Sequence, residues 1–193
     1  SGISIEGAGS TGNTVWGNFI GIDRTGVDAL PNADGVSIIS GATNNTIGGL
    51  VGSNRNLISG NTGNGVFIGS GSILNSVLGN RIGTDESGMS AAGNGTNGVE
   101  INNANSNFIG SPLLGGGNII ADNGVSGVRI FNNSLPGNFV QGNVIGLDLT
   151  GAPMGNGVDG IYIFRSSGNT IGSKGSSDIG NIISSNGAAG VRI

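Results

Sequence analysis

A four-residue strand signal recurs along this chain. It appears as GISI (2–5), GVSI (35–38), GVFI (65–68), GVEI (98–101), GVRI (127–130), GIYI (160–163) and GVRI (190–193). Longer and shorter intervals alternate between the copies, and such self-similarity at a period of about 20–50 residues marks a stacked-repeat architecture. No single residue can be given a role before that recurrence is accommodated. Each interval holds two further signals of the form Asn-x-Ile/Val. The first set begins at Asn13, Asn45, Asn75, Asn107, Asn138 and Asn169, the second at Asn18, Asn56, Asn80, Asn118, Asn143 and Asn181. Three short strands per unit, six units and a seventh opening strand therefore account for the whole chain.

The unit lengths alternate for a visible reason. From the second strand's apolar residue to the third's, the gap is short in odd units (Val15 to Ile20) and about twice as long in even ones (Ile47 to Ile58, Ile171 to Ile183). From the third strand to the next first strand the order reverses. Each unit thus carries one long loop, alternately at one corner and at another. The true period is a pair of units, roughly 62 residues, built from single repeats of roughly 31 residues.

Strands this short, with no helices between them and all running in one sense, bury their apolar sides by stacking as coils. The expected fold is all-β: a parallel β-helix of about six coils with three short strands each, one domain over 1–193. Period-2 alternation points Ile5, Ile38, Ile68, Ile101, Ile130, Ile163 and Ile193 inward as one column. An inward Asn repeated at a bend can donate its amide to the next coil's Asn carbonyl, which keeps a polar group at the core's edge satisfied.

Composition agrees with this vocabulary. Of 193 residues, 42 are Gly and 27 Asn, and only 9% are charged, against about 25% in an average domain. Disordered chains are poor in Ile and Val and rich in charge, the reverse of this one. A net charge of −4 argues against nucleic acid, which calls for clustered Lys and Arg. No apolar run is long enough to insert in a membrane. With no Cys and no His, the chain lacks a thiol nucleophile, the commonest general base and the commonest transition-metal ligands.

The GVxI…NxIxGNxIGTDxxG…N pattern, found across essentially the whole chain, resembles the right-handed parallel β-helix repeats (PbH1-type) of bacterial extracellular and surface proteins. That resemblance implies a right-handed coil and an extracellular or cell-surface location. It does not select an activity, because the same scaffold carries polysaccharide-active enzymes, adhesins and structural proteins.

Three groups of residues compete for a functional role. Asp23, Asp85 and Asp148, one double unit apart from each other, each precede x-Ser/Thr-Gly and open the long odd loops. Asp at the first position of a type I turn with Gly at the fourth is a turn choice; the rival reading is a calcium site. Gly-x-Gly-x-x-Gly occurs at Gly7, Gly93 and Gly155, but a strand signal follows each time, where a nucleotide site needs a helix. The third group is the outward row of the first strand: Ser4, Ser37, Phe67, Glu100, Arg129, Tyr162 and Arg192, with Phe131, Phe164 and Arg165 close behind. Phe67, Glu100, Arg129, Tyr162, Phe164 and Arg165 are the candidate substrate-binding set, and Glu100 and Arg129 are neighbours on adjacent coils.

The leading expectation is a non-enzymatic extracellular structural or adhesive solenoid, a module of a large surface protein or a filament subunit. No catalytic residue and no cofactor is assigned. The partners expected are flanking domains, further copies of the chain or extracellular glycans. The alternative is a carbohydrate-binding or polysaccharide-degrading protein using the first-strand face. The two part on whether neighbouring coils bring two or more carboxylates within reach of one another.

Overall fold

The computed structural model describes residues 1–173 and 179–193. Among these the strands form three parallel sheets of seven, six and six strands. The first sheet comprises Ile3–Glu6, Val36–Ile39, Val66–Gly69, Val99–Asn102, Val128–Phe131, Ile161–Phe164 and Val191–Arg192. The second runs from Thr14–Val15 through Phe108–Ile109 to Thr170–Ile171. The third runs from Phe19–Ile20 through Arg81–Ile82 to Ile182–Ile183. Every strand pairs in register with its equivalent one coil away: Ile5 with Ile38, Ile101 with Ile130, Ile109 with Val140, Ile120 with Ile145. The chain is a parallel β-helix of six coils.

In-register stacking is what turns a sequence repeat into a core. Ile and Val from all three sheets form one cluster, and each buried aliphatic side chain contributes about 1.5–3 kcal/mol. The first-sheet Ile column is buried from Ile5 to Ile163. Ile193 departs from the expectation: it follows the last strand and is 90% exposed.

The Gly that opens each first strand is there for space. A Cβ on Gly35, Gly65 or Gly98 would come within 2.5–2.7 Å of the next coil's Gly carbonyl, closer than any real Cβ contact. The coils can therefore stack at β spacing only if this corner lacks side chains.

Both expected Asn columns are continuous ladders. Asn45 Nδ2 donates to Asn75 Oδ1 at 3.0 Å and Asn75 to Asn107 at 3.1 Å; Asn56 donates to Asn80 at 2.9 Å and Asn118 to Asn143 at 2.9 Å. A third ladder, not anticipated, joins Asn32, Asn61, Asn94, Asn123, Asn156 and Asn186 at 2.8–3.1 Å. In all three, the donor lies one coil before its acceptor. A shorter mixed column runs the opposite way, from Asn97 to Asn64 and from Asn64 to Asp34.

The alternation of loops has a geometric cause. Each odd-coil loop is a small antiparallel hairpin, with bridges Ile22–Ala29, Thr84–Ala91 and Leu147–Pro153. Two strands stand about two coil heights tall, so a corner has room for one hairpin every second coil. Successive hairpins bond directly to each other, Glu86 N to Gly26 O and Leu149 N to Gly88 O, each at 2.9 Å. The coil between is caught as well: Gly60 N donates to Ala92 O at 2.9 Å. The even-coil loops meet at the other corner, Ile179 N donating to Pro112 O at 3.2 Å, and the coil between is caught there too, with Gly79 N on Gly116 O at 3.1 Å.

Candidate functional site

The outward row of the first sheet is set by register. Phe67, Glu100, Arg129, Tyr162 and Arg192 stand one above another, and Phe131 stands beside Phe164 in the row two residues on. Inward Val and Ile on the same strands hold these side chains outward, so their positions depend on the core.

Glu100 is tied down from two sides. Its Oε2 accepts from Asn97 Nδ2 at 2.8 Å and from Arg129 Nη1 at 3.4 Å. Asn97 is itself a rung of the mixed column, so the backbone scaffold orients the carboxylate. The Arg129 guanidinium also lies 4.9 Å from the Phe131 ring centroid. One double unit further on, Asp159, Tyr162 and Arg192 occupy the places of Asn97, Glu100 and Arg129. Arg192 pairs with the fully buried Asp159 carboxylate and covers the Tyr162 ring at 4.1 Å. Arg165 completes the set, 5.1 Å from the Phe164 centroid. Phe164 in turn stacks on Phe131 at 5.7 Å and on Tyr162 at 6.0 Å.

The backbone sets Arg165 apart from its equivalents. The residue after each first strand adopts a positive φ: Ser40 (59°), Ser70 (53°), Asn103 (52°), Asn132 (55°) and Arg165 (49°). Ser and Asn accept that conformation because their short polar groups bond locally; a long side chain there is strained. An arginine in this column costs stability and places a cation over Phe164.

Five of the six candidate binding residues therefore meet on coils 4 to 6. Phe67 does not join them. It is level with Glu100 in register, but its ring folds over Gly69, where an added Cβ would lie 2.7 Å away. Arg192 and Phe131 belong to the assembled site; as outward neighbours of the chosen residues, they were visible in the same sequence rows.

The patch offers cations and aromatic faces in place of free acids. Glu100 is engaged by Asn97 and Arg129, and Asp159 by Arg192 and the Ala189 N–H. Hydrolysis of a glycosidic bond calls for two available carboxyl groups about 5–9 Å apart. Among the described residues of this face none stands beside Glu100.

The three loop aspartates are occupied inside their own hairpins. Asp23 Oδ1 accepts from Thr25 N and Oγ1, Val27 N and Asp28 N at 2.8–3.3 Å, and Gly26 N closes the turn on Asp23 O at 3.0 Å. Asp85 and Asp148 repeat the arrangement with Ser87 and Thr150. The Thr25 and Thr150 hydroxyls, aided by backbone N–H groups, hold the Asp23 and Asp148 carboxyls below the usual range. At Asp85 burial pushes upward, but the bonds from Ser87, Ser90, Met89 and Gly88 together outweigh it. No cluster of three or more acids occurs among the described residues.

No protein-family model matches the chain, and no curated protein matches it either. Among solved structures it is similar to the periplasmic alginate epimerase AlgG, with 20% identity and a TM-score of 0.58 over 93% of this chain and 38% of that one. A mutant of the same enzyme matches with 21% identity and a TM-score of 0.59, over 86% of this chain and 30% of that one. The chain thus spans between 30% and 38% of the length of these structural neighbours, and at this identity what they share with it is the parallel β-helix fold.

Proposed function

We propose that this β-helix binds an acidic polysaccharide along the outward face of its first sheet, from coil 4 to the seventh strand, without turning it over. The observation that carries this reading is the pairing of three arginines with three aromatic rings: Arg129 with Phe131, Arg192 with Tyr162 and Arg165 with Phe164. Guanidinium forks match carboxylates in bidentate geometry, and ring faces accept the C–H faces of sugars. Arg129 and Arg192 stand two coils apart in one row, about 9–10 Å along the axis at β spacing. A ribbon of extended linked sugars turns alternate residues the same way, so a row of cations at that step meets every second acid group. Each exposed cation–π pair contributes about 0.5–1 kcal/mol, and the ion pairs with Glu100 and Asp159 hold Arg129 and Arg192 in the row, where a polymer carboxylate competes for their remaining N–H groups.

The name of the fold relative supports the substrate class, since alginate is an acidic polysaccharide, and its periplasmic setting supports a location outside the cytoplasm. The engagement of Glu100 and Asp159 supports binding without turnover. The test is titration with polyuronate oligomers and with neutral glucans at several salt concentrations. The reading requires binding to the acidic polymer only, weakened by salt and by Tyr162→Ala; equal binding to both polymers would overturn it.

A second reading is favoured by a separate observation, the three uninterrupted Asn ladders over an all-aliphatic core. These suit a rigid spacer within a larger surface protein, with the glycan face displayed on it.

A further inference from the structure

On the third sheet, away from the arginine–aromatic face, two other arginines stand on adjacent coils. Arg81 takes the outward position of the strand Arg81–Ile82, and Arg55 leads into the strand Leu57–Ile58 one coil before. With Phe19, Leu57 and Glu86 they line a notch of about 230 Å³. It lies where the loop of coil 2, with its short 3₁₀ turn Gly52–Asn54, approaches the hairpin of coil 3.

Backbone carbonyls anchor both guanidiniums. Arg55 Nε donates to Gly79 O at 3.2 Å, and Arg81 Nη1 donates to Glu86 O. Neither takes part in an ion pair among the described residues. Arg81 Nε is shielded from solvent and has no hydrogen-bond partner among them, which for a charged donor is costly. Burial first, and then the nearby Arg55 charge, depress the Arg81 guanidinium's pKa. An arginine on a surface ordinarily escapes such a neighbour by turning its head into water. Here the hairpin crowds it on one side: a Cβ on Gly88 would stand 3.0 Å from Arg81 Nε and 3.3 Å from Cζ, so the glycine leaves the guanidinium just enough room.

Two like charges lining one notch, neither of them in an ion pair among the described residues, are a site awaiting a counter-charge. We infer that the Arg55–Arg81 notch binds a compact oxyanion, a carboxylate or sulfate group, to which the free N–H groups of Arg55 and the notch-lining side of the Arg81 guanidinium donate. Two planar guanidiniums lining one notch suit such a group better than a single point charge. Phe19, 45% exposed, forms an apolar wall that favours an anion carried on a sugar ring over a bare inorganic ion. Glu86 stands at the rim as the competing internal acid. The site is independent of the first-sheet face, being on another sheet and on earlier coils.

The test follows the arginine Nε–H resonances of the whole chain during titration with sodium sulfate, sodium glucuronate and glucose, at ionic strength held constant with sodium chloride. One resonance, assigned to Arg81 by its absence from Arg81→Gln, is expected to shift saturably with both anions, more tightly with glucuronate, and not with glucose. Arg55→Gln should weaken this at least tenfold, Arg55→Lys severalfold, and Arg129→Gln not at all. Glu86→Gln should tighten it severalfold by removing the competitor. The inference is overturned if neither the wild type nor Glu86→Gln shows a saturable shift, if Arg55→Gln binds as the wild type does, or if glucose produces the same response.

Discussion

Replacing Asn118 with Ala removes one of the two central residues of the second ladder. The side chain is buried and makes four hydrogen bonds: Nδ2 donates to Asn143 Oδ1 (2.9 Å) and Val77 O (2.8 Å), and Oδ1 accepts from Asn80 N (2.9 Å) and Asn80 Nδ2 (3.1 Å). Two of the groups left behind have somewhere else to turn. Val77 O still receives Gly110 N at 2.8 Å, and Asn143 Oδ1 still receives Asn118 N at 3.1 Å. The Asn80 backbone N–H does not, and it becomes a buried orphan. At about 1 kcal/mol per lost bond, with an orphaned donor costing roughly 1–3 kcal/mol in place of its share, the substitution should destabilise by about 4–6 kcal/mol. Asn105→Ala is the control, since its one side-chain bond is a 3.4 Å contact to Ser134 Oγ, and it should cost under about 0.5 kcal/mol. Repeat arrays lose two-state behaviour, so hydrogen exchange is the better assay: protection should collapse at Asn80, Asn118 and Asn143 together. If Asn118→Ala costs under about 1 kcal/mol, the ladders decorate the core and do not hold it.

Three further outcomes follow from the same geometry. Gly98→Ala would place a Cβ 2.5 Å from Ile120 Cγ2 and 2.7 Å from Gly127 O; overpacking of this kind costs about 1–3 kcal/mol, and a neutral effect in chemical denaturation would refute the steric account of the repeat glycine. Because the Asp23, Asp85 and Asp148 carboxyls are depressed in the folded chain, the stability they add is complete above the ordinary carboxylate pKa and disappears as pH falls through the lower folded values. The melting temperature of the wild type should therefore fall more steeply below about pH 4 than that of a triple Asn variant, with EDTA changing neither; parallel acid limbs, or a drop in EDTA, would contradict the turn reading. Arg165→Asn should relieve strain and stabilise by roughly 0.5–1 kcal/mol while weakening polyuronate binding, and a loss of stability would show that Arg165 is there for packing.

Most of the fold was legible because register is a property of recurrence. Ile, Val, Gly and Asn at fixed offsets mark strands, stacking corners and ladders without any need for a third dimension. The ladder from Asn32 to Asn186 escaped because its members precede a Gly, not an apolar strand residue, although N-x-x-x-G-V/I stands before five of the first-sheet strands. The loop alternation was read from spacing, but its cause was not, since hairpin height appears only when Glu86 meets Gly26 across a whole coil. At the site, the outward row located Glu100, Arg129 and Tyr162 correctly as neighbours. Sequence could not show that Asp159 reaches Arg192, that Phe67 turns away over Gly69, or that Arg55 and Arg81 line one notch from adjacent coils. Those contacts depend on side-chain direction, and spacing is silent on it.

The central claim is that the first-sheet face presents arginines at the step of alternate acid groups on an extended polysaccharide. Its most direct test is the affinity of uronate oligomers of increasing length. The account predicts a step when the oligomer becomes long enough to span Arg129 and Arg192, and the loss of that step in Arg129→Gln. A smooth rise with length that Arg129→Gln leaves unchanged would contradict it.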